Sequence, residues 1–534
     1  MSKHPALRGG GLVAMMLLLF VLLDPAAAQA APGDQQRDVP ALDAQAACGA
    51  LEKADLAALR DAPTRITAAQ WVASRDAAPA YCRVQGYVEP HVGFEIQLPG
   101  THWNRKFIEI GCGGACGSID EKACGDPLRR GYACIVSDAG HRSDGGDWEW
   151  AQDLQARVDY GYRAPHVAAL AGKALTRLYY HSPPRKSYFD GCSTGGRQAM
   201  VEAERFPWDF DGIIAGAPPL NFTANSLAQL WASLAATNAA GKAILTPAAV
   251  QRVHRAVLAQ CDLDDGVRDG IVGDPAACHF DPGRLLCAPG RSRDCLSGAQ
   301  VAAVRKIYAG PFAETGSLSR GGYMPGSELE WSGVFFSAEG GRGFMYAYSA
   351  EKFRYAAFVP NPGPSWQPED LDFRRDYRRL GMTEALYSAT DPDLRQFKRN
   401  GGKLLMYQGW NDPFEPPAAT TRYYETVERL MGGRAATQDF YRLFMIPGMG
   451  HCGGGAGAGT IDYLTSLEGW VERGNAPQKL IGWHMKGPQS PQRFPPPAGE
   501  TTFSRPVYPY PSRARYAGSG NPDAATSYRP VAAK

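Results

Sequence analysis

The stretch from Ser187 to Met200, Ser-Tyr-Phe-Asp-Gly-Cys-Ser-Thr-Gly-Gly-Arg-Gln-Ala-Met, constrains the fold more than any other part of the chain. An apolar, β-prone run leads into Gly191-Cys192-Ser193-Thr194-Gly195, and a helix-forming run continues to Arg205. A G-x-S-x-G pattern in this setting demands a strand, a sharp turn and a helix. The turn strains the serine backbone and lifts its hydroxyl clear of the sheet edge. Glycines two residues either side let strand and helix approach with no side chain between them. The helix N-terminus then points unpaired N–H groups at any oxyanion formed beside the serine. In a chain with 61 glycines the bare pattern also arises by chance, so the flanking strand and helix carry the weight.

The rest of the chain supplies the same architecture. Residues 81–99 alternate apolar and polar and are expected to be antiparallel strands. Short apolar strands are expected at 106–110, 131–138, 210–218, 403–407 and 441–446, with helices at 166–180, 420–431 and 461–472. Strands alternating with helices imply a mainly parallel sheet covered on both faces. With 534 residues, one simple core is too little, and a second unit is expected. Residues 220–394 are glycine- and aromatic-rich and read as irregular. The expected fold class is therefore α/β, an α/β-hydrolase core built from 31–219 and 395–534 and split by an inserted lid at 220–394. The proline- and arginine-rich tail from about 485 is expected to wrap the surface as extended chain.

The N-terminus indicates the compartment. Lys3 and Arg8 precede an apolar run from Leu12 to Leu23, and small residues end at Ala28-Gln29-Ala30. This is the pattern of a cleaved secretory signal peptide over residues 1–30, and the apolar run is short for a membrane span. Export to the periplasm or medium, with no membrane association after cleavage, is expected. All twelve cysteines lie beyond this segment and are expected to form mostly disulfides. The net charge of +2 without a basic stripe argues against nucleic acid as a partner.

A serine nucleophile needs a base, and the base an orienting carboxylate. In the α/β-hydrolase order these follow as acid, then histidine. Asp412, in Gln408-Gly-Trp-Asn-Asp412, and His451, in Pro447-Gly-Met-Gly-His451, each stand just beyond an expected strand and in that order. His141, in Asp138-Ala-Gly-His141, is the rival histidine, and Glu415 the rival acid. The glycine-rich loop after the 106–110 strand, Gly111-Cys112-Gly113-Gly114-Ala115-Cys116-Gly117, is expected to give one oxyanion donor through Gly113, and Thr194 the other. Cys192 precedes the serine and Cys452 follows the histidine. A hydrogen-bonded Ser193 and His451 would bring these neighbours within disulfide reach.

A second constellation, Cys261-Asp262-Leu-Asp-Asp265-Gly-Val267-Arg-Asp269-Gly-Ile271, sets carboxylates two to four residues apart among turn-forming glycines. Close carboxylates repel unless a cation lies between them, and oxygen ligands suit calcium. The alternative is an acidic surface turn.

Four pieces together resemble the tannase/feruloyl esterase family of α/β-hydrolases, which includes mono(2-hydroxyethyl) terephthalate hydrolase-like members. They are Ser187 to Gln198, Phe210-Asp-Gly-Ile-Ile-Ala-Gly-Ala-Pro218, Gly401 to Asp412, and Pro447-Gly-Met-Gly-His-Cys452. The resemblance extends over nearly the whole mature length. It implies a Ser193, Asp412, His451 triad with Cys192–Cys452 bridged. It implies a calcium site in the lid, held by the carboxylates of Asp262, Asp265 and Asp269 and the carbonyls of Val267 and Ile271, with no organic cofactor. It also implies Cys261–Cys278, Cys287–Cys295 and Cys48–Cys82, leaving Cys112, Cys116, Cys124 and Cys134 without an assigned pairing. Two cysteines that family members often carry in the C-terminal segment are absent here, so a looser tail is expected.

The substrate implied is a small aromatic ester, galloyl or hydroxycinnamoyl, with a terephthalate monoester as the alternative. The aromatic set Trp331, Phe335, Phe336, Phe344, Tyr346 and Tyr348 suits an aromatic acyl group, or is simply lid core. Arg342 and Arg354 are candidates for pairing a substrate carboxylate. A reading from another class is a non-catalytic, calcium-dependent binding module on a hydrolase scaffold. The oligomeric state stays open.

Overall fold

Period-two burial along the strands sets the architecture. In β8 (Lys403–Gly409), Leu404 and Met406 pack into one apolar cluster while Leu405 and Tyr407 pack into another. Phe189 and Tyr188 of β6 (Lys186–Cys192) divide in the same way. Strands buried on both faces need helices on both faces. The computed structural model describes residues 43–75, 79–311, 321–487, 496–497 and 499–532. The expected signal peptide, residues 1–30, lies outside the described residues.

Among the described residues the principal sheet has nine strands in the order β1-β2-β3-β5-β4-β6-β7-β8-β9. β1 (Thr64–Val72), β2 (Tyr81–Val88) and β3 (Val92–Pro99) are antiparallel, and β3 runs antiparallel to β5 (Ala133–Ser137). From β5 through β4 (Lys106–Ile110), β6, β7 (Gly212–Gly216) and β8 to β9 (Tyr441–Ile446) every pairing is parallel. One face carries α1 (Ala164–Tyr180), α2 (Thr194–Arg205) and α3 (Pro417–Leu430). The opposite face carries α4 (Tyr463–Arg473), through Leu464, Leu467 and Trp470. The expected α/β-hydrolase sheet is present, with β1 as an additional edge strand.

Two expectations need correction. The insertion between β7 and β8 is not irregular. It contains the helices Phe222–Ala236, Pro247–Cys261, Gly298–Ala309 and Phe344–Tyr355. It has an apolar cluster of its own, centred on Val253, Val257, Val304, Ile307, Trp331, Phe335 and Phe336. The glycine- and aromatic-rich connections between these helices dominate the composition of the segment, which is why it read as irregular. The C-terminal tail is not merely extended chain. Thr501–Val507 pairs with Leu480–Met485, and Arg513–Tyr516 pairs with Tyr528–Val531. Arg505 to Asp269 at 2.7 Å and Arg513 to Asp274 at 2.5 Å tie it to the 261–274 loop.

All twelve cysteines are paired: Cys48–Cys82, Cys112–Cys116, Cys124–Cys134, Cys192–Cys452, Cys261–Cys278 and Cys287–Cys295. Among the described residues no helix is long and apolar enough to cross a membrane.

Candidate active site

Ser193 stands between β6 and α2 with φ 61° and ψ −124°. A non-glycine residue there costs about 1–3 kcal/mol, so its surroundings must impose the conformation. They do so through close packing. The Ser193 amide donates to Gly216 O of β7 at 2.9 Å. A Cβ on Gly191 would lie 2.5 Å from the Gly195 carbonyl, and one on Gly196 only 2.1 Å from Gly216 O. Only glycine at these two positions lets the helix start where it does.

Two further strand ends complete the arrangement. Asp412 follows β8 and His451 follows β9, and the loops that carry them are interlocked. Trp410 N donates to Ile446 O and Asn411 N to Met449 O, both at 3.0 Å. His451 Nδ1 and Asp412 Oδ2 are 2.8 Å apart. A carboxylate only accepts, so Nδ1 carries the proton and Nε2 is left as the basic nitrogen. The Asp412 side chain is fully buried, while His451 retains some exposure. Asp412 is held by Gln408 Nε2 at 2.7 Å and by the amides of Phe414 at 2.8 Å and Glu415 at 3.0 Å. Four donors on one buried carboxylate fix its orientation. The Phe414 ring lies against the imidazole at 4.7 Å. The Cys192–Cys452 bridge joins the residue before Ser193 to the residue after His451, with Cα atoms 5.9 Å apart.

The rivals fall elsewhere. Glu415 is buried with its carboxyl pushed well above the ordinary range by burial and then by the Asp412 charge, so its backbone amide, not its side chain, serves Asp412. His141 Nε2 donates to the Ala115 carbonyl at 2.8 Å. Sequence reasoning missed Gln408, although it stands four residues before Asp412 in a strand-end motif already singled out.

The glycine-rich loop abuts the start of α2. Thr194 Oγ1 donates to Gly114 O at 2.7 Å. The Cys112 amide is taken by Gln198 Oε1 at 3.1 Å, whereas among the described residues no acceptor engages the Gly113 amide. No atom crowds the space a Gly113 side chain would fill. The aromatics of the insertion divide. Trp331, Phe335 and Phe336 are fully buried core, but Phe344 is 54% exposed. Phe344 stacks on Tyr348 at 5.4 Å and faces Phe414 at 6.5 Å. Arg342 is committed to Glu369 at 2.5 Å and Arg354 to Glu351 at 2.7 Å.

In the 262–271 loop the carboxylates are capped by the loop's own amides. Asp262 accepts from Gly270 N at 3.2 Å, Asp265 from Val267 N at 3.1 Å and Asp269 from Ile271 N at 3.2 Å. Burial pushes Asp265 up to about 7, and the Asp269 and Asp262 charges add to it. Among the described residues no group of three or more acidic, histidine or cysteine side chains stands ready to hold a metal. The donor chemistry of the loop nonetheless fits a hard divalent cation, whose charge would relieve this mutual repulsion.

The family model described as tannase and feruloyl esterase matches residues 77–531. The chain belongs to the tannase and feruloyl esterase family. It is 34% identical over 499 residues to an uncharacterised esterase of Xanthomonas campestris pv. campestris, covering 85% of this chain and 84% of that one. It is 32% identical over 539 residues to a mono(2-hydroxyethyl) terephthalate hydrolase of Piscinibacter sakaiensis, covering 86% and 87%. Among solved structures, feruloyl esterase B from Aspergillus oryzae superposes with a TM-score of 0.78 at 27% identity, covering 91% of this chain and all of that one. As a member of this family the protein is a carboxylic ester hydrolase, which overturns the non-catalytic alternative.

Proposed function

We propose that the protein is a secreted serine esterase that hydrolyses esters of aromatic carboxylic acids through an acyl-enzyme. The observation that carries this is the buried Asp412–His451 pair, fastened by the Cys192–Cys452 bridge to the strained turn that presents Ser193. In the first half-reaction His451 Nε2 takes the Ser193 hydroxyl proton as Oγ attacks the ester carbonyl. The N–H groups of Thr194 and Gly113 receive the oxyanion. The carbon–alkoxy bond then breaks, and His451 returns the proton to the departing alcohol. In the second, His451 takes a proton from water as its oxygen attacks the acyl carbonyl, the carbon–Oγ bond then breaks to release the carboxylic acid, and His451 returns the proton to Ser193 Oγ. Asp412 keeps Nδ1 protonated and stabilises the imidazolium formed in each half.

The exposed ring of Phe344 and the Phe414 ring on His451 offer flat apolar surface for an aromatic acyl group. The similarity to a feruloyl esterase supports a hydroxycinnamoyl substrate, and the tannase part of the family description supports a galloyl one. The terephthalate relative favours a second reading, an aromatic diacid monoester. Arg342 and Arg354 count against it, since both guanidinium groups are already paired with carboxylates. Calcium belongs to this proposal as a structural ion, held by Asp262, Asp265 and Asp269 and the carbonyls of Val267 and Ile271. When bound it supplies the positive charge that lets three carboxylates share one loop.

Initial rates of the mature protein on methyl ferulate and methyl gallate, with Ser193→Ala beside it, test the proposal. Turnover of either ester that vanishes in the variant supports it. Turnover that persists in Ser193→Ala sinks the serine mechanism, and rates only on terephthalate monoesters favour the second reading.

A further inference from the structure

The loop that carries Gly113 is closed by the Cys112–Cys116 bridge and held by neighbours on two sides. Cys116 and Ala139, both non-glycine, have φ of 60° and 61°, and Gly114, Gly117 and Gly140 are also positive. The two non-glycine residues, one in the loop and one in the neighbouring turn, keep this conformation only where the surroundings over-determine it. From one side the Gly114 carbonyl receives Thr194 Oγ1 at 2.7 Å and the Tyr160 hydroxyl at 3.2 Å. From the other, the segment after β5 runs alongside: Gly117 N donates to Asp138 O and Ser143 N to Gly117 O, both at 3.0 Å. The side chain that reaches into the loop on this side is His141, with Nε2 2.8 Å from Ala115 O.

His141 is built to stay there. Its side chain is 8% exposed, its ring stacks on Trp150 at 3.7 Å, and it meets Tyr160 edge-on at 5.9 Å. Nδ1 is buried and, among the described residues, meets no hydrogen-bond partner. The carbonyl can only accept, so the ring is fixed as the Nε2–H tautomer. Burial holds the imidazole below its usual range.

We propose that His141 is a positioning residue of the ester hydrolysis: by holding the Ala115 carbonyl it fixes the Cys112–Cys116 loop and, with it, the Gly113 N–H that receives the oxyanion. This rests on the esterase function proposed above. An oxyanion donor is effective only if its direction is set before charge develops, because reorganising a dipole during the reaction forfeits the gain. Two residues beyond Ala115 in one direction is the donor, and one residue beyond it in the other is the Cys116 end of the disulfide. A rotation at Ala115 therefore redirects Gly113.

The test compares His141→Phe, which keeps a ring against Trp150 but loses the N–H donor, with His141→Gln, which retains one. The readouts are kcat and KM on methyl ferulate, affinity for phenylboronic acid, whose serine adduct mimics the tetrahedral oxyanion, and Tm. For His141→Phe, kcat and phenylboronic acid affinity are expected to fall together by about tenfold or more. KM should stay within about twofold, because the ground-state ester gains little from the donor. His141→Gln should recover most of both losses. Wild-type kcat and boronic acid affinity in His141→Phe would overturn the proposal, as would equal losses in the Phe and Gln variants. If His141→Phe does not fold, His141→Asn, too short to reach Ala115 O, is compared with His141→Gln on the same readouts. Absence of ester turnover in the wild type would instead count against the esterase function itself.

Discussion

Gln408 Nε2 lies 2.7 Å from Asp412 Oδ2, the same oxygen that receives His451 Nδ1 at 2.8 Å. Two donors on one carboxylate oxygen, with two backbone amides on the other, leave that carboxylate a single orientation. Asp412→Asn must present an amide N–H to one of these donors, which turns the imidazole to the wrong tautomer. The expected loss in kcat is about 10⁴-fold with KM little changed. Gln408→Leu keeps the Asp412–His451 bond but leaves a buried carboxylate one donor short, and a fall of about tenfold in kcat with a lowered Tm is expected. Steady-state kinetics on both variants check this. Full activity in Asp412→Asn would remove Asp412 from the mechanism.

The Cys192–Cys452 bridge closes a span of 260 residues. On the chain-entropy model a cross-link of that length stabilises by about 5 kcal/mol. The double variant Cys192→Ala, Cys452→Ala should therefore melt well below the wild type. Its kcat should fall more steeply than stability alone explains, because serine and histidine loops are then free to drift apart. Thermal melts and kinetics below the new Tm separate the two effects.

Lys352 is buried, donates to Ser226 Oγ at 2.8 Å and lies 3.9 Å from the centre of the Phe222 ring. Glu415 and Arg197 are the charged groups that act on it. Burial pulls its ammonium down to about 7. A lysine depressed in the folded state lets the unfolded chain bind more protons between that pH and the ordinary lysine value. Its destabilising effect is therefore fully present below pH 7 and fades as pH rises from 7 toward about 10.4. Lys352→Met should raise Tm by several degrees at pH 6 and by little at pH 10. Melts across that range check the sign, and a gain that grows with pH would contradict it.

Chelation should destabilise the protein through the 262–271 loop. With calcium at a hundred times its dissociation constant the stabilisation is about 2.7 kcal/mol. EGTA should lower Tm by several degrees, and readdition of calcium should restore it. Asp265→Asn should start at the lower Tm and no longer respond to either treatment. A wild-type melt indifferent to EGTA would argue for a plain acidic turn.

Phe344 is exposed beside Phe414, which covers His451. Phe344→Ala removes aromatic surface without touching the groups that handle protons. KM for methyl ferulate should rise by about three- to tenfold, while hydrolysis of an acetyl ester stays unchanged. Parallel rates on methyl ferulate and p-nitrophenyl acetate would check it.

Much of this was legible in the chain because strand-end chemistry is local. Ser193, Asp412 and His451 each sit in a short run whose apolar strand and glycine turn are contiguous in sequence. The parallel sheet could be read from the same runs. What remained hidden depends on partners far apart along the chain. Gln408 announces nothing until Asp412 folds back over it. The tie from His141 to Ala115 needs two loops after different strands to lie side by side. The insertion read as irregular because its helices are set among glycine-rich turns and their apolar faces close on one another. Trp331, Phe335 and Phe336, plausible substrate contacts by composition, are buried for the same reason.

The bridge between Cys192 and Cys452 has one more implication. Ser193 and His451 stand far apart along the chain, and a covalent link made only under oxidising conditions holds their loops in register. While the thiols are reduced, only the sheet and its backbone hydrogen bonds hold the two loops beside each other. On the function proposed above, oxidation of these two thiols is the covalent step that sets the serine and histidine loops in register.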